Sequence, residues 1–296
     1  MSTSNKIFSF FCDWKKCPDE LLASSFAEIL DNGVSNFVFG EIWMERILQE
    51  PKFVATLRHL AGNRVKFHDM HAPYGECYDL ACPGTGRRDE LIKDHIRALA
   101  YASDFGCRTY TIHIGAYDSV FFHTPNEVIR PLALESLEKL VPWAEKYGVI
   151  LAVENAFERS NTPDEVMYYV DYFDHPYVKC CFDSGHALIM DTYPGKGEYG
   201  DYMKNDVCSG KVENYTGAFE KMSPRMVTCH LHDNDGFSDQ HKIPGDGIEK
   251  WDILAGKLLN NAPELLSIQT ESVIWGYGIS ITKTISRFRE IFPGLF

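Results

Sequence analysis

Short apolar runs alternate along this chain with segments in which apolar residues recur every three to four positions. That alternation predicts repeated βα units around a parallel sheet. Eight strands are expected, over residues 7–12, 36–39, 64–71, 109–114, 149–154, 178–183, 226–232 and 265–271. Helix-period segments fall between and after them, over 18–32, 43–60, 89–105, 126–147, 163–173, 215–222, 251–261 and 279–291. Glycines at 33, 106 and 148 stand where three of those helices should stop, as helix C-caps do. No Pro/Gly/Ser-rich linker or block of like charge divides the chain. The pattern therefore predicts one α/β domain over residues 1–296, a (β/α)8 TIM barrel in preference to an open doubly wound sheet. A polar stretch at about 191–217 is too long for an ordinary βα loop and reads as an insertion, either a lid or a subunit contact. The second alternative leaves a homo-oligomer open.

Composition narrows the function classes. With 45% hydrophobic and 24% charged residues, the chain has the makeup of an ordinary globular protein. A formal net charge of −13 and the lack of any Lys/Arg-rich run argue against a nucleic-acid partner. No apolar stretch approaches membrane-spanning length and no secretory leader is visible, so neither membrane nor export is expected and a cytoplasmic location is. The nine cysteines include no C-x-x-C, and the adjacent Cys180 and Cys181 lie inside a strand, a pattern for reduced thiols.

Candidate chemistry gathers at the predicted strand ends. Residues 228–247, T-C-H-L-H-D-N-D-G-F-S-D-Q-H-K-I-P-G-D-G, are the densest stretch, with Thr228, His230 and His232 on one face of the seventh strand. Strand three ends at His71, strand four at His113, strand five at Glu154, strand six at Asp183 with His186 beyond, and strand eight at Glu271. Asp239 and His241 follow strand seven. In a barrel these ends share one mouth, where active sites sit. Buried carboxylates cost several kcal/mol each unless paired or metal-bound, so Glu154, Asp183 and Glu271 together call for a cation. His59, His95 and His175 fall in helical or loop sequence and read as solvated, and His68 lies on the opposite strand face from His71.

Five short motifs run in order: Glu154-Asn155, Asp183-x-x-His186, His230-Leu-x-Asp233, Pro244-Gly-Asp-Gly247 and Glu271. With them the chain resembles the xylose isomerase-like TIM barrels, the superfamily of sugar epimerases and isomerases, inosose dehydratases and endonuclease IV, over strands three to eight. In the epimerase and isomerase branch the resemblance implies one divalent metal ion held by Glu154, Asp183, His230 and Glu271. Three carboxylates and one imidazole suit Mn²⁺, Co²⁺ or Mg²⁺, with Zn²⁺ also accommodated. The implied substrate is a small sugar or sugar phosphate, with Glu154 and Glu271 as an acid/base pair that forms an enediolate next to a carbonyl, and His186 bonding a substrate oxygen. Glu158 resembles an extra glutamate of ketose epimerases, at a shorter spacing from Glu154. Trp14 and Trp43, with Tyr74 and Phe157, are aromatic candidates for stacking on a sugar, or packing only.

Three alternatives stand beside this reading. An endonuclease IV-like zinc phosphodiesterase would use His71, His113, Glu154, Asp183, His186, His230, Asp239, His241 and Glu271 as ligands. An inosose dehydratase-type lyase is the second, and a non-catalytic sugar-binding barrel that keeps its metal without turnover the third. In each case His71, His113, His241, Asp239 and His232 are candidate further contacts to metal or substrate.

Overall fold

The computed structural model describes residues 6–75, 77–115, 124–193, 196, 198–199 and 213–296. Eight parallel strands form the expected barrel: β1 (Ile7–Ser9), β2 (Asn36–Phe39), β3 (Lys66–His71), β4 (Thr109–Ile112), β5 (Ile150–Glu154), β6 (Val178–Asp183), β7 (Met226–Leu231) and β8 (Ser267–Thr270). They pair in the order β1-β8-β7-β6-β5-β4-β3-β2. The ring closes where Phe10 N donates to Asn36 O at 2.9 Å and Val38 N to Phe10 O at 3.0 Å. Around it lie α1 (Asp19–Asp31), α2 (Glu41–Gln49), α3 (Phe53–Ala61), α4 (Thr85–Phe105), α5 (Asn126–Tyr147), α6 (Pro163–Phe173), α7 (Ser184–Met190), α8 (Ala218–Met222), α9 (Trp251–Asn261) and α10 (Ile281–Ile291).

The main core fills the layer between strands and helices, where Phe37, Phe39, Met44, Leu57, Tyr110, Leu137, Leu258 and Phe288 are buried. Helices α4 and α5 stop at Gly106 and Gly148, whose φ values of 88° and 69° suit glycine far better than other residues. The helix expected over 43–60 is instead two, α2 and α3. Pro51 disfavours helical geometry in the residue before it, and Glu50 accordingly leaves the helix at φ −131°, ψ 78°.

Inside the barrel the inward face varies in character. One part is an apolar cluster of Ala152, Cys181 and Val227, backed by Ile150 and Leu266. Hydroxyls surround the buried Asp69, and the imidazoles and carboxylates stand at the strand ends. No helix among the described residues is long and apolar enough to cross a membrane. Most of the insertion expected at about 191–217 lies outside the described residues. Of the cysteines, the eight described are all free thiols, seven of them buried.

Of the two readings open for Trp14 and Trp43, the structure shows packing: they stack on each other at 4.4 Å in an aromatic group with Phe26 and Phe37, and both are buried. Ring burial against apolar neighbours outweighs their strand-end position. His95 is not solvated but buried, its Nδ1 2.8 Å from the Tyr110 hydroxyl and its Nε2 3.0 Å from the Tyr78 carbonyl.

Candidate metal centre

The strand ladder sets the inner part of the site. Glu154 closes β5 and is fully buried. Its Oε1 accepts from His230 Nδ1 at 2.8 Å, and the same nitrogen lies 3.2 Å from Glu271 Oε2. His113 Nε2 approaches Glu154 Oε2 to 3.0 Å and His71 Nε2 to 3.5 Å, near enough for charge attraction but off the line of a hydrogen bond. Glu154 Oε2 and Glu271 Oε2 are thus buried with no hydrogen-bond partner among the described residues. One donor atom from each of Glu154, Asp183, His230 and Glu271 lies within 4.8 Å of the others, and the same holds for His71, Glu154 and His230.

A second group, His186, His232, Asp239 and His241, meets the same 4.8 Å limit on the outer side. Asp183 links the two. Both its oxygens lie 3.1 Å from His232 Nε2, and its Oδ1 caps α7 by accepting from His186 N at 2.6 Å. His241 Nε2 is 3.1 Å from Asp239 Oδ2, and His186 Nε2 is 3.6 Å from it. The rings of His232 and His241 stack 3.7 Å apart and nearly parallel, at 8°. Gly185 makes room for this, since an added Cβ there would fall on the His232 ring. His232 Nδ1, like the two inner oxygens, is buried without a hydrogen-bond partner among the described residues.

Main-chain carbonyls decide which imidazole nitrogen faces the site. His71 Nδ1 donates to Ala72 O at 2.8 Å, His186 Nδ1 to Asn155 O at 2.9 Å and His241 Nδ1 to Glu271 O at 2.8 Å. In each ring Nε2 is left for a ligand, as in metal sites whose histidines are oriented by a second partner. The charges agree. Burial alone would raise the Glu154 carboxyl, but His230 and His113 outweigh it and hold it well below the usual range. Burial likewise opposes ionisation of Glu271, and His230 prevails. Conversely, burial works against charging His230, yet Cys181, Glu154 and Glu271 around it hold it well above its ordinary value. Against the same penalty Asp183 and Asp239 raise His186, and Asp239 raises His241 to about 10. Protons on imidazoles here balance the carboxylates that a cation would otherwise neutralise.

The donor set fits a cation on this observation: buried carboxylate oxygens crowd together with lone pairs that no protein donor takes. The inner quartet is oxygen-rich and the outer one nitrogen-rich, which suits hard and borderline divalent ions respectively. Every sequence-predicted ligand thus converges at the mouth, including His71, His113, Asp239, His232 and His241. Glu158 is also there, its carboxyl raised by burial while His113 and His186 pull the other way. Its Oε2 has no hydrogen-bond partner among the described residues. Tyr74 meets the ring of His71 edge-on at 5.4 Å and that of His113 at a tilt at 5.6 Å, and Phe157 meets His186 edge-on at 5.1 Å. One residue escaped the sequence reading. Glu41, first in α2, has its carboxyl raised by burial, with His71 opposing and Glu271 adding to the rise. An acid in a helix's first turn reads as a dipole partner, which hid it.

The Pro-Gly-Asp-Gly motif is a brace rather than part of the centre. Asp233 accepts from Gly245 N at 2.8 Å, Glu249 N at 3.1 Å, Asn234 N at 3.0 Å and Trp251 Nε1 at 2.8 Å, and Gly247 is packed too closely against it for any side chain. Asp246 faces outward, within 3.8 Å of Lys283 and 3.7 Å of Arg287.

Comparison with known proteins agrees with this architecture. Fructoselysine 3-epimerase of Escherichia coli O157:H7 is 29% identical over 126 residues, 42% of this chain and 39% of that enzyme. The chain spans under half the length of this and another curated relative, 39% and 46%. A crystal structure of D-psicose 3-epimerase in the presence of D-fructose superimposes with a TM-score of 0.69 at 14% identity, covering 97% of each chain. The IOLI protein with a bound zinc atom does so at 0.67 and 13% identity, covering 98% of this chain and 99% of that one. These structural likenesses concern the fold. The family described as "Xylose isomerase-like TIM barrel" matches residues 46–280, and the chain belongs to it.

Proposed function

We propose that this protein is a divalent-metal-dependent epimerase or isomerase of a small sugar or sugar phosphate. One observation carries the reading: carboxylates from β5 and from the end of β8 reach the same imidazole, at 2.8 and 3.2 Å, each with a buried oxygen that no described residue satisfies. Glu154, Asp183, His230 and Glu271 would hold Mn²⁺, Co²⁺, Mg²⁺ or Zn²⁺. Such an ion, when bound, supplies Lewis-acid stabilisation of negative charge on the substrate's oxygens. Glu154 and Glu271 are both held ionised, so either can take the proton beside the carbonyl to give an enediolate; a proton returns from that same carboxyl, now protonated, or on the opposite face from the other glutamate once it has taken a proton from solvent. His186, with Nδ1 committed to Asn155 O, presents Nε2 either to a substrate oxygen or to an outer ion. Tyr74 and Phe157 wall the mouth against water. The sugar epimerases among the structural neighbours support the substrate class.

The test is incubation of metal-loaded protein in deuterated water with free and phosphorylated ketoses, aldoses and inososes. Carbon-bound deuterium next to the carbonyl is expected, and the product separates epimerisation, isomerisation and the dehydratase alternative. Full metal occupancy with no exchange across the panel refutes the reading in favour of the non-catalytic barrel.

The endonuclease IV-like reading also has an observation behind it, because eight of the nine residues assigned to a three-metal cluster, all but His113, fall in three groups, two of which share Glu154 and His230. The −13 net charge weighs against it. Low-salt nicking of abasic-site duplex, lost in Glu154→Gln, would reverse the order.

A further inference from the structure

Beneath the ligand ring lies a buried carboxylate that the proposed chemistry does not use. Asp69 is fully buried and shares the inward face of β3 with His71, two residues on, or about 6.6 Å along the strand. Its Oδ1 accepts from Thr109 Oγ1 at 2.7 Å and Ser267 Oγ at 2.6 Å, and its Oδ2 from Ser9 Oγ at 2.6 Å. His68 Nδ1 stands 3.3 Å from Oδ1. Ser9 and Ser267 belong to β1 and β8, two and three strands round the ring from β3, and Thr109 to the neighbouring β4. One side chain therefore ties four of the eight strands through the barrel's interior.

Those strands carry the site. Thr109 precedes His113 by four residues on β4, and Ser267 precedes Glu271 by four on β8. The chain of bonds extends further, since Thr228 Oγ1 lies 2.8 Å from Ser267 Oγ and accepts from Gln269 Nε2 at 2.6 Å. Ser267 gives its proton to Asp69, so Thr228 donates to Ser267 and every donor in the chain points toward the carboxylate. Thr228 precedes His230 by two residues on the same face of β7.

We infer that Asp69 is a positioning residue for the metal centre, setting the spacing of β3, β4 and β8 below His71, His113 and Glu271. The inference rests on the reading that the centre takes a divalent ion. If Asp69 only stabilised the fold, its loss would lower the melting temperature and leave the centre of the folded protein as it was. If it positions ligands, the centre itself changes.

The discriminating experiment titrates the full-length protein with Co²⁺, reading affinity by calorimetry and ligand geometry by the visible absorption bands. Asp69→Leu, which removes every acceptor, is expected to bind at least about tenfold more weakly, the scale on which ligand-orienting partners act, with shifted bands. Asp69→Asn keeps one acceptor oxygen for Thr109 and Ser267 and should recover most of both. Should Asp69→Leu not fold, Ser267→Ala and Thr109→Val each remove one donor and are expected to show the same changes at smaller size. Folded variants with wild-type affinity and bands, and only a lower melting temperature, would overturn the inference. Absence of Co²⁺ binding by the wild type would instead sink the divalent-ion reading on which it rests.

Discussion

The inner and outer halves of the centre are built by different means. Glu154, Asp183 and His230 are the last or near-last residues of hydrogen-bonded strands, and Glu271 keeps a ladder bond through its N to Leu231 O at 3.1 Å. By contrast His186 sits in the first turn of α7, and Asp239 and His241 on a loop in which His241 adopts φ 47°, unusual for a non-glycine residue. The inner half inherits its geometry from the barrel, whereas the outer depends on local packing and on the carbonyl of Glu271. Three carboxylates to one imidazole against three imidazoles to one carboxylate adds a chemical difference. The halves should therefore differ in ion preference, in rigidity and in response to pH.

Removing a central ligand of the inner half tests this comparison most severely. Glu154→Gln should abolish ion retention by the inner group and lower turnover of any exchanging sugar by about 10³-fold, checked by elemental analysis of the same preparation. An unchanged inner occupancy would mean that Glu154 is not a ligand. Next in size, Gly185→Ala places a methyl group on the His232 ring. A stability loss of about 1–3 kcal/mol is expected, with the outer ion lost and the inner retained, so metal stoichiometry by anomalous scattering should fall by the outer ion alone.

Protons sharpen the contrast further. His186 and His241, both raised above their ordinary values and the latter to about 10, hold protons at neutral pH that an outer ion must displace, while the quartet Glu154, Asp183, His230 and Glu271 has one such imidazole, His230, the raised His71 standing beside it. Apparent affinity should thus rise with pH in both halves and more steeply in the outer. Calorimetry in buffers of different ionisation enthalpy counts the protons released. The smallest effect is a control outside both halves: Trp14→Phe should cost about 1–2 kcal/mol of stability and leave metal content and exchange kinetics alone, since its ring packs on Trp43.

Why the inner half was legible and other parts were not has a physical reason. Strand alternation fixes which side chains share a face, so His71, Glu154, Asp183 and His230 could be placed from sequence, and Glu271 followed from the β8 ladder. Alternation says nothing about a loop residue beyond the strand, and the pairing of His232 with Asp183 and its stacking on His241 became visible only with coordinates. Trp14 and Trp43 stayed open between stacking and packing because position near a strand end does not reveal whether a ring turns into the mouth or outward under a helix. His95 misled for a related reason: a polar residue in a helical run reads as solvent-facing unless its partner, here Tyr110 on β4, is known.

The three carbonyls that orient His71, His186 and His241 belong to Ala72, Asn155 and Glu271 only by address. Every amino acid has a carbonyl oxygen, so no substitution at Ala72 that preserves the backbone removes its acceptor. A mutational scan is blind to such partners, and covariation between positions has nothing there to record. An amide-to-ester replacement that weakens the Ala72 carbonyl as an acceptor would reach what side-chain mutagenesis does not, loosening the imidazole while leaving all twenty side-chain choices untouched.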